Sequence, residues 1–99
     1  MMELNAGLKR MIETGKVDFG TEKTMKNLMA GDAKLVVIAS NCPKKARTEL
    51  EKRSKIENVP VVRYPGTSLQ LGEVCGKPFV VASLSVLDSG SVPIGDLKA

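Results

Sequence analysis

The apolar residues change spacing several times along the chain, and each change marks an element. Leu4, Leu8, Met11 and Ile12 recur at helical spacing, and Gly15 fits the residue just past the end of that helix. A short strand, Val17 to Phe19, follows and is broken by Gly20. A second helix is predicted from about Thr21 to Ala30, with Met25, Leu28 and Met29 inward, Lys23, Lys26 and Asn27 outward, and Gly31 closing it. Leu35-Val36-Val37-Ile38-Ala39 is unbroken and rich in β-branched residues, as expected of a central strand covered on both faces. Ser40-Asn41-Cys42-Pro43 stops it. Pro43, at the first helical position, starts a third helix over about Lys44 to Ile56, whose thin apolar side is Ala46, Leu50 and Ile56. Asn58 breaks that helix.

Val59 to Tyr64 reads as a third strand, placed at a sheet edge by Pro60. After the turn Pro65-Gly66, the segment Thr67-Ser68-Leu69-Gln70 matches a capping box, so a short helix is predicted to begin at Thr67. Gly72 inside it costs about 1 kcal/mol relative to alanine, so packing must hold it. Gly76 ends the helix, with Pro78 just beyond. Phe79 to Leu87 is the last predicted strand, Asp88-Ser89-Gly90 turns, and residues 88–99 are expected to be irregular, with at most a short strand near Val92 to Ile94. Strands alternating with helices imply an α/β fold: a three-layer α/β/α sandwich with a four-stranded mixed sheet. No repeat, linker or low-complexity stretch divides residues 1–99, so a single domain is expected.

Composition narrows the function. A chain of 99 residues that is 42% hydrophobic can form a core without disulfides or metal. No apolar run approaches the ~18 residues of a membrane span, and the charges within residues 1–14 do not suit a signal peptide, so an intracellular protein with no membrane partner is expected. The net charge of +4 lies entirely in residues 1–58, which hold twelve Lys/Arg against eight Asp/Glu. A basic half suits an anionic partner; solvated lysines kept for solubility are the alternative. Cys42 and Cys75 are far apart, form no CxxC pair, and are expected to be free thiols rather than a zinc site or a disulfide. Histidine is absent, which removes the commonest general base and the Ser-His and Cys-His pairs.

Three loops carry the candidate chemistry. Gly20-Thr21 opens a helix whose first amides and nearby Lys23 and Lys26 suit phosphate; a plain helix cap is the alternative. Asn41, in Asn41-Cys42-Pro43-Lys44-Lys45, leaves the buried strand where ligands tend to bind in open α/β sheets. It can pair with a base edge, or merely cap the third helix. Phe79, in Gly76-Lys77-Pro78-Phe79, could stack on a base, although a core position is commoner for phenylalanine. Enzyme signatures are missing: there is no GxxxxGK[ST] and no GxSxG. Cys42 and Arg47 lie one residue too close for a phosphatase loop, and Glu49 and Glu51 project to different helix faces. No catalytic residue, cofactor or metal is therefore expected, and a phosphate-rich polymer such as RNA is the expected ligand.

The pattern Gly20-Thr21-x-Lys23-Thr24-x-Lys26, then Ala33 to Asn41, then Gly66-Thr67-Ser68-x-x-Leu71-Gly72, then Gly76-Lys77-Pro78-Phe79 resembles the archaeal and eukaryotic large-subunit ribosomal proteins of the L-thirty-e type. These sit within the wider kink-turn RNA-binding ribosomal protein family. The resemblance runs over residues 4 to 88 or so, with its segments in order. It implies a ribosomal, cytoplasmic, non-catalytic protein, monomeric when free, that holds ribosomal RNA at a sharp bend beside neighbouring large-subunit proteins. The RNA surface it implies is Gly20, Thr21, Lys23, Thr24, Lys26, Asn41, Pro43, Lys44, Lys77, Phe79 and Val80. In it Lys26 meets phosphate, Asn41 meets a base edge, and Phe79 with Val80 and Val81 packs on an extruded base. Relatives in small guide-RNA particles tend to carry Asn-Glu after Gly-Thr; Glu22-Lys23 here favours the ribosomal branch. The competing readings are a guide-RNA-particle kink-turn protein, a small phosphate- or nucleotide-binding α/β domain, and a protein-binding adaptor.

Overall fold

A computed structural model describes residues 2–92 and 97–98. The elements run β1 (Met2–Glu3), α1 (Leu4–Thr14), β2 (Lys16–Phe19), α2 (Thr21–Ala30), β3 (Leu35–Ala39), α3 (Lys44–Ile56), β4 (Val61–Tyr64), α4 (Ser68–Val74), β5 (Ser83–Asp88) and β6 (Leu97–Lys98). The main sheet has the order β2-β5-β3-β4. β3 pairs parallel with β4, whereas β5 runs antiparallel to both β2 and β3. The expected four-stranded mixed sheet is thus present, with β4 at its edge.

β3 is buried at every position because both of its faces are covered. Leu35, Val37 and Ala39 pack with Leu4, Leu8, Met11, Leu71 and Leu84, beneath α1 and α4. Val36 and Ile38 pack with Leu28, Ala33, Cys42 and Leu50, beneath α2 and α3. The period-2 pleat sends alternate residues into two separate cores, and each fully buried Leu or Val contributes roughly 1.5–3 kcal/mol over leaving it exposed.

The register decides where the loops meet. Phe19 lies opposite Leu84, Ile38 opposite Ser83, and Ala39 opposite Tyr64. The carboxyl ends of β2, β3 and β4 and the start of β5 therefore share one rim of the sheet.

Several expectations are corrected. The last strand begins at Ser83 rather than Phe79. Residues 79–82 instead lie over α4, where Val81 N–H donates to the Ser68 carbonyl (3.0 Å). Met29 and Ile56 are exposed, each at 61%. The inward face of α2 centres on Thr24 and Leu28, and a further residue turns Met29 away by about 100°. α3 ends at Ile56; its inward position there is taken by buried Ser54, whose Oγ donates to the Leu50 carbonyl (2.7 Å). Pro43 caps α3 with extended backbone (φ −52°, ψ 136°) rather than occupying its first turn. The tail is not wholly irregular: β6 pairs parallel with β1. Of the strand expected near Val92 to Ile94, Val92 lies in a bend and residues 93–94 lie outside the described residues. The capping box of α4 is present in both halves: Gln70 N–H donates to Thr67 Oγ1 (3.3 Å) and Thr67 N–H donates to Gln70 Oε1 (2.8 Å).

Candidate nucleic-acid interface

Gly20 is the hinge between β2 and α2. Its N–H donates to the Ser83 carbonyl (2.9 Å) and its carbonyl accepts from Thr24 N–H (3.0 Å). Its backbone sits at φ 106°, ψ 151°, a region essentially confined to glycine. Among the described residues no side chain caps α2, so its first-turn amides are left for water or an anion. The space above is open: none of the described residues lies within 4 Å of where a Cβ on Gly20 would sit.

A polar seam holds this helix start in place. Thr21 Oγ1 lies 3.0 Å from Ser83 Oγ. Asn27 Nδ2 donates to Asp18 Oδ2 and to Ser85 Oγ, each at 2.9 Å. Thr21, Thr24 and Asn27 fall at i, i+3 and i+6, one helical stripe, against alternate serines of β5. Asn27, expected to face solvent, is therefore half-buried. Thr24 is fully buried, with no hydrogen-bond partner for its Oγ1 among the described residues. It is withdrawn from the RNA surface, because its side chain cannot reach a ligand. The signal for the seam was present as Ser83-x-Ser85 set against that stripe, but strand alternation reads the serines as solvent-facing.

Asn41 does cap a helix, though not the expected one. Its Oδ1 accepts from Ser68 N–H (2.7 Å) at the start of α4, while α3 has no side-chain cap. With the oxygen so engaged, the amide orientation is set, and because the residue is exposed its Nδ2 leaves two donors for solvent or a ligand. Ser68 binds the neighbouring loop as well, through its carbonyl and Val81 N–H. One residue thus ties the Asn41 loop to the Phe79 loop.

Phe79 and Val80 are exposed at 53% and 59%, while Val81 behind them is buried. The loop lies this close to α4 because residue 72 is glycine: a Cβ there would stand 2.2 Å from the Phe79 carbonyl oxygen. Lys77 Nζ lies 4.8 Å from the centroid of the Phe19 ring, next to Gly20, a cation–π contact of about 0.5–1 kcal/mol when exposed. Lys23, Lys26, Pro43 and Lys44 are exposed, and Thr21 is half-buried. Gly20, Asn41 and Phe79 therefore share one rim, joined through Ser83, Ala82, Ala39 and Ser68; Ala39 N–H donates to the Ala82 carbonyl at 2.9 Å. Cys42 and Cys75 are free and buried. Burial pushes the Cys42 thiol up; nearby Arg47 opposes this and Glu51 adds to it. Among the described residues no helix is long and apolar enough to cross a membrane, and no His/Cys/Asp/Glu cluster could hold a metal.

This arrangement has relatives. A chain described as a protein of unknown function from Bacillus halodurans C superimposes with a TM-score of 0.78 at 21% identity, covering 86% of this chain and 84% of that one, a likeness of fold. The large ribosomal subunit protein eL30 of Methanopyrus kandleri is 47% identical over 90 residues, covering 91% of this chain and 83% of its own. That of Methanocaldococcus jannaschii is 44% identical over 96 residues, covering 97% and 87%. Residues 2–94 match the model of the ribosomal protein L7Ae/L30e/S12e/Gadd45 family. With the sandwich, the loops and the matched length in agreement, this chain belongs to the L7Ae/L30e/S12e/Gadd45 family of ribosomal proteins.

Proposed function

We propose that the protein is a structural, non-catalytic constituent of the large ribosomal subunit in the cytoplasm, and that it binds ribosomal RNA at a kink-turn. The observation that carries this reading is the convergence of Gly20, Asn41 and Phe79 on one rim. A sharp bend crowds phosphates and splays bases. The open amides of α2, with Lys23 and Lys26, offset the crowded charge. The Nδ2 of Asn41, whose oxygen is held by the cap, donates to an acceptor on a base edge, and Phe79 with Val80 offers an apolar face to an unstacked base. Lys77 and Lys44 flank the path, with Pro43 beside it. The family membership and the names of the archaeal relatives support the large-subunit setting, in which neighbouring large-subunit proteins would be its further partners. The free protein is read as a monomer.

The test is a gel-shift comparison of a kink-turn RNA with a straight duplex of the same composition. Preference for the kink-turn is expected, with log affinity falling by about 0.7–0.9 per phosphate neutralised for each decade of salt. Equal affinity for both RNAs would refute the reading. Tight mononucleotide binding without preference for bent RNA would favour a nucleotide-binding domain instead.

A further inference from the structure

The rim does not end at Asn41. One strand further along, at the carboxyl ends of the parallel pair β3 and β4, a crevice of about 290 Å³ is lined by Ile38, Ala39, Ser40, Arg47, Arg63, Tyr64 and Pro65. Among the described residues its lining holds two guanidinium groups and no carboxylate. Arg63 is exposed and is neutralised in part by Glu51, 2.9 Å away; Arg47 is half-buried and has no ion pair among the described residues. The floor is apolar, from buried Ile38 and Ala39, so half-buried Arg47 is screened less than a cation on an open surface. Planar guanidinium forks match phosphate oxygens in a bidentate manner, and the carboxyl end of a parallel pair is where such folds take ligands.

We infer that this Arg47–Arg63 crevice is a further phosphate-binding site, taking a backbone phosphodiester of the same RNA strand after it leaves the Gly20–Phe79–Asn41 rim. The inference rests on the RNA reading above. Its location supports it: Ser40 precedes Asn41 in sequence, and Ser40 N–H and Oγ both bond to the Gly66 carbonyl (3.0 and 2.9 Å), which closes the crevice wall beside the α4 start. Across the order β2-β5-β3-β4, two to three strand gaps of about 4.8 Å each put the crevice roughly 10–14 Å from the Gly20 loop. A single strand laid along the rim would pass Gly20, Phe79, Asn41 and then the two arginines.

The experiment measures affinity for a kink-turn RNA with extended flanking strands, across a salt series. Proteins compared are the wild type, the double variant Arg47→Gln/Arg63→Gln, and Glu51→Gln. Thermal melting confirms that each is folded. The double variant should bind about tenfold more weakly at low salt, with a salt slope shallower by about one to two. Glu51→Gln frees Arg63 and should bind about threefold more tightly, an independent arm should the double variant fail to fold. Wild-type affinity and slope in the double variant, or in Glu51→Gln, while the wild type still prefers the kink-turn over duplex, would overturn the crevice assignment alone. Loss of that preference in the wild type would instead remove the reading beneath it.

Discussion

Gly20 works through its backbone angles rather than through space. Its surroundings are open, so Gly20→Ala clashes with nothing, yet an alanine must adopt φ 106°, ψ 151°. That conformation costs about 1–3 kcal/mol for a residue with a Cβ, and urea unfolding of Gly20→Ala should show a loss of that size. A loss below about 0.5 kcal/mol, the ordinary range of surface substitutions, would mean the hinge relaxes freely. Asn41 joins two duties in one amide. Its oxygen caps α4, which leaves its nitrogen for the proposed base contact. Asn41→Asp keeps the cap acceptor and places a favourable negative charge at a helix start, but replaces two donors with a carboxylate near phosphate. Its melting temperature should match the wild type while RNA affinity drops by about 1–3 kcal/mol, the worth of a base contact. Equal losses of stability and affinity would show that the cap is its only role. Thr24 is the counter-example: a residue whose sequence neighbourhood suggests RNA and whose side chain points wholly into the interior.

At the scale of elements, α4 and the loop behind it oppose helix propensity to packing. Gly72 weakens the helix by about 1 kcal/mol relative to alanine, so propensity alone makes Gly72→Ala stabilising. A Cβ there would overlap the Phe79 carbonyl oxygen, which is backbone and cannot swing aside. Overpacking costs typically 1–3 kcal/mol, so the clash wins. Gly72→Ala should be destabilised in denaturant titration and should also bind RNA less well, because the Phe79 loop is displaced. A stabilised variant would show that the loop moves without cost. α2 is set by different means. Its bonds to Ser83, Ser85 and Asp18 contribute roughly 0.5–1.5 kcal/mol each, and as a group they fix the helix's rotation and hold its first-turn amides at the rim. Capping box, glycine stops and strand alternation are local rules, and they are readable in order. The rotation of α2 is not, because Met29 and Thr24 exchange places only once β5 presents serines to the helix.

The molecule as a whole stores a pH dependence in its cysteines. Burial pushes the Cys75 thiol from the ordinary 9.0 up to about 11, with nearby Lys77 opposing it; the Cys42 thiol moves the same way. A thiol held protonated in the folded state binds its proton more tightly than in the unfolded chain. Its contribution is full below pH 9 and is lost as pH rises toward 11. Unfolding free energy should therefore fall across that window, and Cys75→Ala should show a shallower fall. Parallel wild-type and Cys75→Ala curves would contradict the burial argument.

The residues alone determined the elements from α1 to α4, the mixed sheet, the edge position of β4 and the basic half of the chain. These follow from periodicity, caps and composition, which act over a few residues. Tertiary structure alone decided three things. Register brought Gly20, Asn41 and Phe79 to one rim, since strand pairing joins residues far apart in the chain, such as Val17 and Val86, and the Gly20 N–H to the Ser83 carbonyl 63 positions on. Packing of residues 79–82 over Gly72 kept Phe79 out of both strand and core. The crossover from β3 through α3 to β4 put Arg47 and Arg63 in the lining of one crevice, two cations whose spacing along the chain carries no hint that they meet, because the packing of a helix over the strands it connects is a tertiary event.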